Sequence, residues 1–400
     1  MLIYYSISNF MSIKHEEKIT FKAKPYKETK IKSLDNNLLA IISIYGPNGG
    51  GKSSIIYSLF FLINLIKANM NKQLINSTLN QINVYKNSTQ KNEPIIWEMQ
   101  IISSKKRYYK YSISINDNKI IKESLKYSNK LEGKYENIFN RTSSSKYQLG
   151  KSFNNLKLKA MDFGSLLSYL YTNIDNEFII EFYNEIINFF IFNNLTNDPV
   201  TLILNPLTQK IQYNFNKDIL EKEKNKFLKL FKEIDINIID YQFVNNLGGE
   251  KLILKKYNEN GIFELDFLLE SEGTKKIIQL MSYFFVGIKN GWIFVIDELD
   301  SRLHTKLLGY IIDLFHSKEN RKSQIIFTSH DMNTLDSKYL RKDEVYFAAL
   351  NENYFTNVTS LSSFEDIRDK SSYSSQYLKG KLGYDPYITR AIKWLNDERE

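Results

Sequence analysis

The stretch "IYGPNGGGKSSII", from Ile44 to Ile56, decides the fold of this chain. It fits the P-loop pattern G-x-x-x-x-G-K-[ST], in which glycines allow backbone N–H groups to surround a polyphosphate. The apolar run "LLAIISIY" before it predicts a buried strand, and "SSIIYSLFFLINLI" after it predicts a helix. The positive end of that helix would face the same phosphates. This context disfavours an ordinary helix-starting turn and predicts a nucleoside triphosphate site.

The residues of this loop have separate predicted roles. Lys52 is predicted to reach the β- and γ-phosphates and to assist catalysis, and the Ser53 hydroxyl is predicted to bind Mg²⁺. The remaining residues that we predict to bind the nucleotide on this segment are Gly46, Asn48, Gly49, Gly51 and Ser54.

Composition limits the class of protein. The 400 residues are 42% hydrophobic and 25% charged, which are ordinary globular values. The net charge of +9 suggests a nucleic-acid partner, but the lysines are spread along the chain instead of forming one basic stripe. The chain has no cysteine, which excludes disulfides and cysteine metal sites. With no signal peptide and no apolar run of about 18 residues, we expect a cytoplasmic protein without a membrane partner.

Two adjacent carboxylates follow a second apolar strand. In "WIFVIDELD", the buried-strand residues end at Asp297 and Glu298. An apolar strand that ends in aspartate can place this carboxylate beside the P-loop, so Asp297 is predicted to hold Mg²⁺. Glu298 is predicted to be the catalytic residue that polarises the attacking water. The alternative is that Glu298 is a surface acid at the start of a loop.

Two further motifs extend this predicted site. In "QIIFTSHD", His330 follows the next strand, where its side chain could reach a γ-phosphate, so we predict a catalytic role. In "ESEGTKK", Ser271 and Gly273 lie at a helix start that could also bind phosphate. Because the P-loop already serves one triphosphate, this second helix start suggests a site shared between two copies. An ordinary helix cap is the alternative.

The order of elements predicts an α/β fold, with a mixed sheet and flanking helices. Three parts are predicted: an N-terminal ATPase lobe (1–125), a largely helical insertion (126–235) and a C-terminal ATPase lobe (236–400). The aromatic-rich stretch 163–195 is predicted to be helical, and an unused apolar face there could bind a partner.

The ordered motifs "GPNGGGKSS", "ESEGTKK", "VIDELD" and "FTSHD" together resemble the ABC-type ATPase heads of the SMC, RecF and OLD branch. The start "LIYYSISNFMSIKHEEKITFKA", together with "IDELDSRLH" and "YLKGKLGYDPYI", is more specifically similar to AAA family ATPases of bacterial phage-defence systems of the RloA/AbiL type. In one position the chain departs from this group, since Met11 stands where a basic residue is usual.

The resemblance implies an ABC-type head with ATP and Mg²⁺ as cofactors. It also implies a homodimer or higher homo-oligomer in which Ser271 and Gly273 of one chain close over ATP on the P-loop of another. The favoured function is control of a separately encoded effector in antiphage defence. The alternative is a DNA-binding repair or chromosome ATPase of the RecF/SMC type, so nucleic acid remains a possible partner at this stage. The unusual signature disfavours a transporter subunit. The lack of a second acidic cluster disfavours a self-contained nuclease.

Overall fold

The computed structural model describes residues 1–26, 31–68, 71–143, 146–153, 164–192, 203–204, 211–212, 217–233, 237–246, 249–365 and 372–380. In chain order, the strands are β1 (Leu2–Ser8), β2 (Glu17–Thr20), β3 (Ile41–Tyr45), β4 (Ile95–Ile102), β5 (Tyr108–Asn116), β6 (Lys119–Ser128), β7 (Glu136–Arg141), β8 (Tyr147–Leu149), β9 (Phe189–Phe192), β10 (Ile203–Leu204), β11 (Ile211–Gln212), β12 (Ile238–Asn246), β13 (Gly249–Asn258), β14 (Gly261–Asp266), β15 (Ile293–Ile296), β16 (Gln324–Thr328), β17 (Val345–Leu350) and β18 (Thr356–Ser360). The α-helices are α1 (Lys52–Lys67), α2 (Lys72–Val84), α3 (Leu166–Asn173), α4 (Glu177–Ile187), α5 (Lys217–Lys222), α6 (Lys224–Glu233), α7 (Glu272–Asn290), α8 (Thr305–Phe315) and α9 (Tyr373–Leu378).

A six-stranded sheet in the order β18-β17-β3-β16-β15-β9 forms the centre of the fold. The pairs from β17 to β9 are all parallel, and β18 is antiparallel to β17. All residues of β3, β15 and β16 are buried, which explains their continuous apolar sequences. Since parallel strands end at the same edge, the segments that follow β3, β16 and β15 lie side by side. The predicted mixed α/β fold is confirmed.

A seven-stranded sheet in the order β2-β1-β4-β5-β6-β7-β8 packs on the helix that follows the P-loop. Two hydrogen bonds fix this contact at one point of α1. The Tyr5 and Ser58 hydroxyls are 2.7 Å apart, and the Trp97 indole N–H donates to the Ser58 carbonyl oxygen at 3.1 Å. The sheet therefore supports the helix whose first residues belong to the P-loop.

A third sheet, β12-β13-β14, leads directly into α7. Its second hairpin turns at 258–261, where the sequence "NENG" predicts a turn. The helix α7 begins with Ser271 as its N-cap, and the Ser271 hydroxyl accepts a hydrogen bond from the Thr274 N–H. The hairpin thus sets where the predicted signature begins.

The range 126–235, predicted to be a largely helical insertion, also contains strands of the seven-stranded sheet. The predicted boundary at 125–126 falls inside β6, and the range also contributes β7 and β8 to the seven-stranded sheet. Helices α3 to α6 supply the expected helical content. The other predicted boundary, at 235–236, lies outside the described residues.

The structure corrects the helix prediction for part of the stretch 163–195. Its last described part, Phe189–Phe192, is not helical but forms β9, which pairs in parallel with β15. Its aromatic and aliphatic side chains are largely buried, with Phe182 fully buried, and the Ser168 hydroxyl donates to the carbonyl oxygen of Ile66 at the end of α1. The segment is thus part of the core, although Ile187 is exposed, and a partner-binding face on it stays a prediction. Positions 163 and 193–195 lie outside the described residues.

Among the described helices, none combines the length and the apolar character needed to span a bilayer.

Candidate active site

The P-loop joins β3 to α1 and holds the predicted lysine inside its curve. Gly51 is the N-cap of α1 with φ +93°, a conformation in which a side chain would be strained and would collide with the Thr356 hydroxyl. The Lys52 ammonium donates to the carbonyl oxygens of Gly46 and Pro47 at 2.8 and 2.9 Å. Burial lowers the pKa of Lys52 to about 8, although nearby carboxylates oppose this shift.

The other predicted loop residues take two kinds of position. Asn48 and Gly49 lie exposed at the tip of the loop. Ser54 is buried, and its hydroxyl lies 3.0 Å from that of Ser12 in the β1–β2 connection. The Thr356 hydroxyl donates to the Ser12 hydroxyl at 2.7 Å and also contacts the Gly50 carbonyl oxygen at 3.1 Å. These hydroxyl contacts fix the loop between two distant parts of the chain.

The predicted magnesium ligands lie next to each other. The Ser53 hydroxyl donates to Asp297 Oδ1 at 3.2 Å, although the two residues are 244 positions apart. The Thr328 hydroxyl, at the end of β16, donates to the same oxygen at 2.7 Å. Mg²⁺ in nucleotide sites is held by one or two protein oxygens, phosphate oxygens and water. This donor set fits such an ion, which would neutralise charge on the phosphates. No cluster of three or more His, Asp or Glu suited to a metal occurs among the described residues.

Glu298 has an unusual backbone conformation immediately after β15. Its φ is +48°, in the left-handed region, and its N–H donates to the Thr328 hydroxyl at 2.7 Å. Its carbonyl oxygen accepts a hydrogen bond from the Lys276 ammonium at 2.9 Å. Because Thr328 contacts both Asp297 and Glu298, the position of one carboxylate is linked to the backbone of the other.

His330 follows β16 and lies at the same edge of the sheet. Its N–H donates to Asp300 Oδ2 at 2.9 Å, and its side chain is exposed. Partial desolvation and the charge of Lys52 lower the pKa of the imidazole. The neutral ring therefore predominates at pH 7. The other carboxylate oxygen of Asp300 is buried without a hydrogen-bond partner among the described residues.

The predicted signature residues contact the loop that carries the carboxylates. Ser271 is exposed and caps α7, while Gly273 lies against the Arg302 carbonyl oxygen. A Cβ on Gly273 would be 2.5 Å from this backbone oxygen, so the close approach requires glycine. Glu272 forms an ion pair with Arg302 at 3.0 Å. The start of α7 and the loop after β15 thus form one surface.

Three residues at this site were not predicted from the sequence. Thr328 is the polar last residue of the apolar strand β16, and this change from apolar to polar could have identified it as a site residue. Tyr57, one turn after Ser53 on α1, has its pKa raised to about 12 by burial, with Asp297 adding to the shift. Its i, i+4 spacing from Ser53 could have placed it on the same helix face. Lys276 was quoted within the signature, but no pattern indicated its contact with Glu298.

The family model described as "AAA domain, putative AbiEii toxin, Type IV TA system" matches residues 41–336. The chain belongs to this AAA family. The match spans the P-loop, the signature, both carboxylates and His330, and it ends before β17. No curated protein is a significant match.

Solved structures similar to this AAA protein include three SMC heads. They include an SmcHead bound to the C-winged helix domain of ScpA, with 13% identity, TM-score 0.49 and coverage of 91% of this chain and 99% of that chain. An SMC head domain from Thermotoga maritima has 12% identity, TM-score 0.42 and coverage of 90% and 98%. An Smc head with an extended coiled coil from Pyrococcus furiosus, bound to the C-terminal domain of ScpA, has 13% identity, TM-score 0.42 and coverage of 90% and 97%.

Proposed function

We propose that this chain is a cytoplasmic, Mg²⁺-dependent ATPase head that dimerises on ATP and controls a separately encoded effector in antiphage defence. The observation that carries the ATPase part is the contact of Ser53 with Asp297, beside Lys52 and Glu298 at one edge of the sheet. Membership of an AAA family supports nucleotide hydrolysis.

Each proposed catalytic residue acts on a different part of the reaction. Lys52 would bind the terminal phosphates, and Ser53 and Asp297 would hold the Mg²⁺ ion, which would neutralise phosphate charge. Glu298 accepts a proton from the attacking water as general base. His330 would contribute a hydrogen bond towards the γ-phosphate, and its backbone is fixed by Asp300.

The dimer is proposed from the surface at the start of α7. Ser271 is exposed, and the α7 N-terminus presents backbone N–H groups next to it. The contacts of Gly273 and Glu272 hold this helix start on the loop after Glu298. A triphosphate bound to the P-loop of a second chain would supply the anion that this helix start attracts. Each ATP would then be shared by two chains.

The defence role is supported by the family description, which names a toxin of a type IV toxin–antitoxin system. We place the harmful activity in a second protein, because the described catalytic groups form one nucleotide site. Expression of this chain alone should therefore leave growth unchanged. Growth arrest caused by the wild-type chain alone, and absent from Lys52→Ala, would instead make this chain the toxin.

DNA binding is the second candidate, and one groove favours it. This groove of about 790 Å³ lies on the seven-stranded sheet and is lined by Lys18, Lys22 and Lys110 together with the rings of Tyr4 and Tyr135. Lysines in a groove attract the backbone of a single strand, although Glu98 and Glu132 reduce the positive charge, and Lys18 and Lys110 cover the Tyr4 and Tyr135 rings. Salt-dependent binding to single-stranded DNA that is lost in Lys18→Glu would favour this function.

The test of the proposed activity is hydrolysis of Mg-ATP by the purified chain. Lys52→Ala is the control for a contaminating ATPase, since this variant should lose nucleotide binding. We expect phosphate release by the wild type and none by Lys52→Ala. Equal phosphate release by both proteins, or none by either, would contradict an ATPase function.

A further inference from the structure

The backbone of Glu298 is held from both sides. Its φ of +48° is a conformation that residues with a side chain rarely adopt, so neighbouring groups must stabilise it. The Thr328 hydroxyl accepts from the Glu298 N–H at 2.7 Å, and the Lys276 ammonium donates to the Glu298 carbonyl oxygen at 2.9 Å. The peptide groups before and after the Glu298 Cα are both fixed by these contacts.

Lys276 lies on α7, the helix that begins with the predicted signature. It is five residues after the Ser271 cap, and only 4% of its surface is exposed. Its ammonium also donates to the Ser301 carbonyl oxygen at 2.8 Å. Burial lowers the pKa of Lys276 to about 8, while the charges of Asp300 and Glu298 oppose this shift. A buried cation with two carbonyl acceptors and nearby carboxylates is well satisfied in this place.

Two other contacts join the same helix start to the same loop. Gly273 lies against the Arg302 carbonyl oxygen, and Glu272 pairs with the Arg302 guanidinium at 3.0 Å. Together with Lys276, these contacts fasten the loop from Glu298 to Arg302 onto the first turns of α7. A displacement of the helix start would therefore displace the backbone of Glu298.

We infer that Lys276 is a positioning residue, which couples engagement of Ser271 and Gly273 by a neighbouring chain's nucleotide to the placement of Glu298. This inference rests on the proposed function, because it assumes that Glu298 acts on the attacking water and that the signature contacts a second chain's ATP. It adds a path within one chain, from the surface that binds the neighbour's nucleotide to the chain's own catalytic acid.

The test compares Lys276→Met with Lys289→Met. The control is the same substitution in the last turn of the same helix, at an exposed residue whose ammonium pairs with Glu223 at 2.6 Å. We expect Lys276→Met to retain ATP-dependent association and the KM for ATP, while kcat falls by about 10²-fold, the loss typical of a misplaced catalytic group. Lys289→Met should keep the wild-type kcat and KM. Wild-type kcat in Lys276→Met would overturn the inference.

A double variant shows whether Lys276 acts through Glu298. If it does, Lys276→Met should lower kcat no further in a Glu298→Gln background, because both changes remove one function. Additive losses would overturn the inference. Should Lys276→Met fail to fold, Lys276→Gln, which also lacks the charge, is measured with the same expectation and the same contrary result. A wild-type chain without ATPase activity would instead contradict the proposed function itself.

Discussion

Asp297 and Glu298 are adjacent carboxylates whose different surroundings suit different tasks. Asp297 is buried and accepts hydrogen bonds from the Ser53 and Thr328 hydroxyls. Glu298 is half-buried, and it contacts Thr328 and Lys276 through its backbone N–H and its carbonyl oxygen. The first arrangement suits a fixed metal ligand, and the second suits an acid that must be aimed at a small mobile molecule such as water.

Replacing Glu298 should separate binding from hydrolysis. Glu298→Gln is expected to bind ATP with unchanged affinity but to lose roughly 10²–10⁴-fold in turnover, because an amide cannot accept the proton of water. The measurements are nucleotide affinity and steady-state phosphate release. Lys52→Ala should fail differently, by losing affinity. Turnover near the wild-type rate in Glu298→Gln would assign the general base to another residue.

Thr328 should matter through its hydroxyl alone. Thr328→Val keeps the shape of this fully buried side chain but leaves Asp297 Oδ1 and the Glu298 N–H each without one partner. Asp297 Oδ1 keeps the Ser53 hydroxyl, but a buried group left without its partner costs about 1–3 kcal/mol, so we expect a lower Tm and a lower kcat. Thr328→Ser, which retains the hydroxyl, should remain close to wild type in both measurements. If the two variants have equal kcat, Thr328 has no role in placing the carboxylates.

At the level of strands and helices, the sequence was most informative where one pattern has one structural meaning. The P-loop and the strands before Asp297 and His330 were predicted because short buried runs that end in polar residues identify parallel strands. Phe189–Phe192 was mistaken for helix, because a short aromatic run fits a buried strand or a buried helix equally well. Its pairing with β15 depends on a partner more than 100 positions away.

The same limit applies to the residues around the active site. Lys276 and Tyr57 lie in helices whose apolar pattern is clear, but their contacts with Glu298 and Asp297 depend on how those helices pack. The i, i+4 spacing of Tyr57 from Ser53 gives its helix face, but no local spacing encodes which carboxylate that face meets. An excess of aromatic residues in 163–195 likewise fits a segment that packs against several elements, so this pattern alone does not separate a core face from a partner-binding face.

Strands β2 and β18 belong to different sheets, and a hydrogen bond to the Glu17 carboxyl group joins them. Glu17 accepts a hydrogen bond from the Val358 N–H at 2.9 Å. Burial, with a smaller contribution from Glu16, raises the pKa of Glu17 from 4.5 to about 7, despite the opposing effect of this hydrogen bond. The folded chain thus binds this proton more tightly than the unfolded chain. Stability linked to Glu17 should be greatest below pH 4.5 and should fall as the pH rises through about 7.

Glu17→Gln should remove this pH dependence, because the amide oxygen can still accept from Val358 but carries no charge. We expect the Tm of the variant to exceed that of the wild type at pH 8 and to approach it at pH 5. The measurement is thermal unfolding of both proteins across this range. A Tm difference that does not change with pH would show that Glu17 does not titrate in this range.

For the molecule as a whole, the proposed shared site would leave one chain with an incomplete site. The P-loop, both carboxylates and His330 lie at one edge of the central sheet, whereas Ser271 is exposed at the start of α7. A second chain would bring its own Ser271 to the first chain's nucleotide. Two identical chains would then form two equal sites related by a two-fold axis.

The most direct test is the mass of Glu298→Gln in solution with and without Mg-ATP, measured by light scattering. Because slow hydrolysis should trap the closed form, we predict the mass of one chain without nucleotide and of two chains with Mg-ATP. Adding Ser271→Arg to Glu298→Gln should leave ATP binding intact but keep the mass of one chain. A Glu298→Gln protein that binds ATP yet remains a single chain would contradict the shared site.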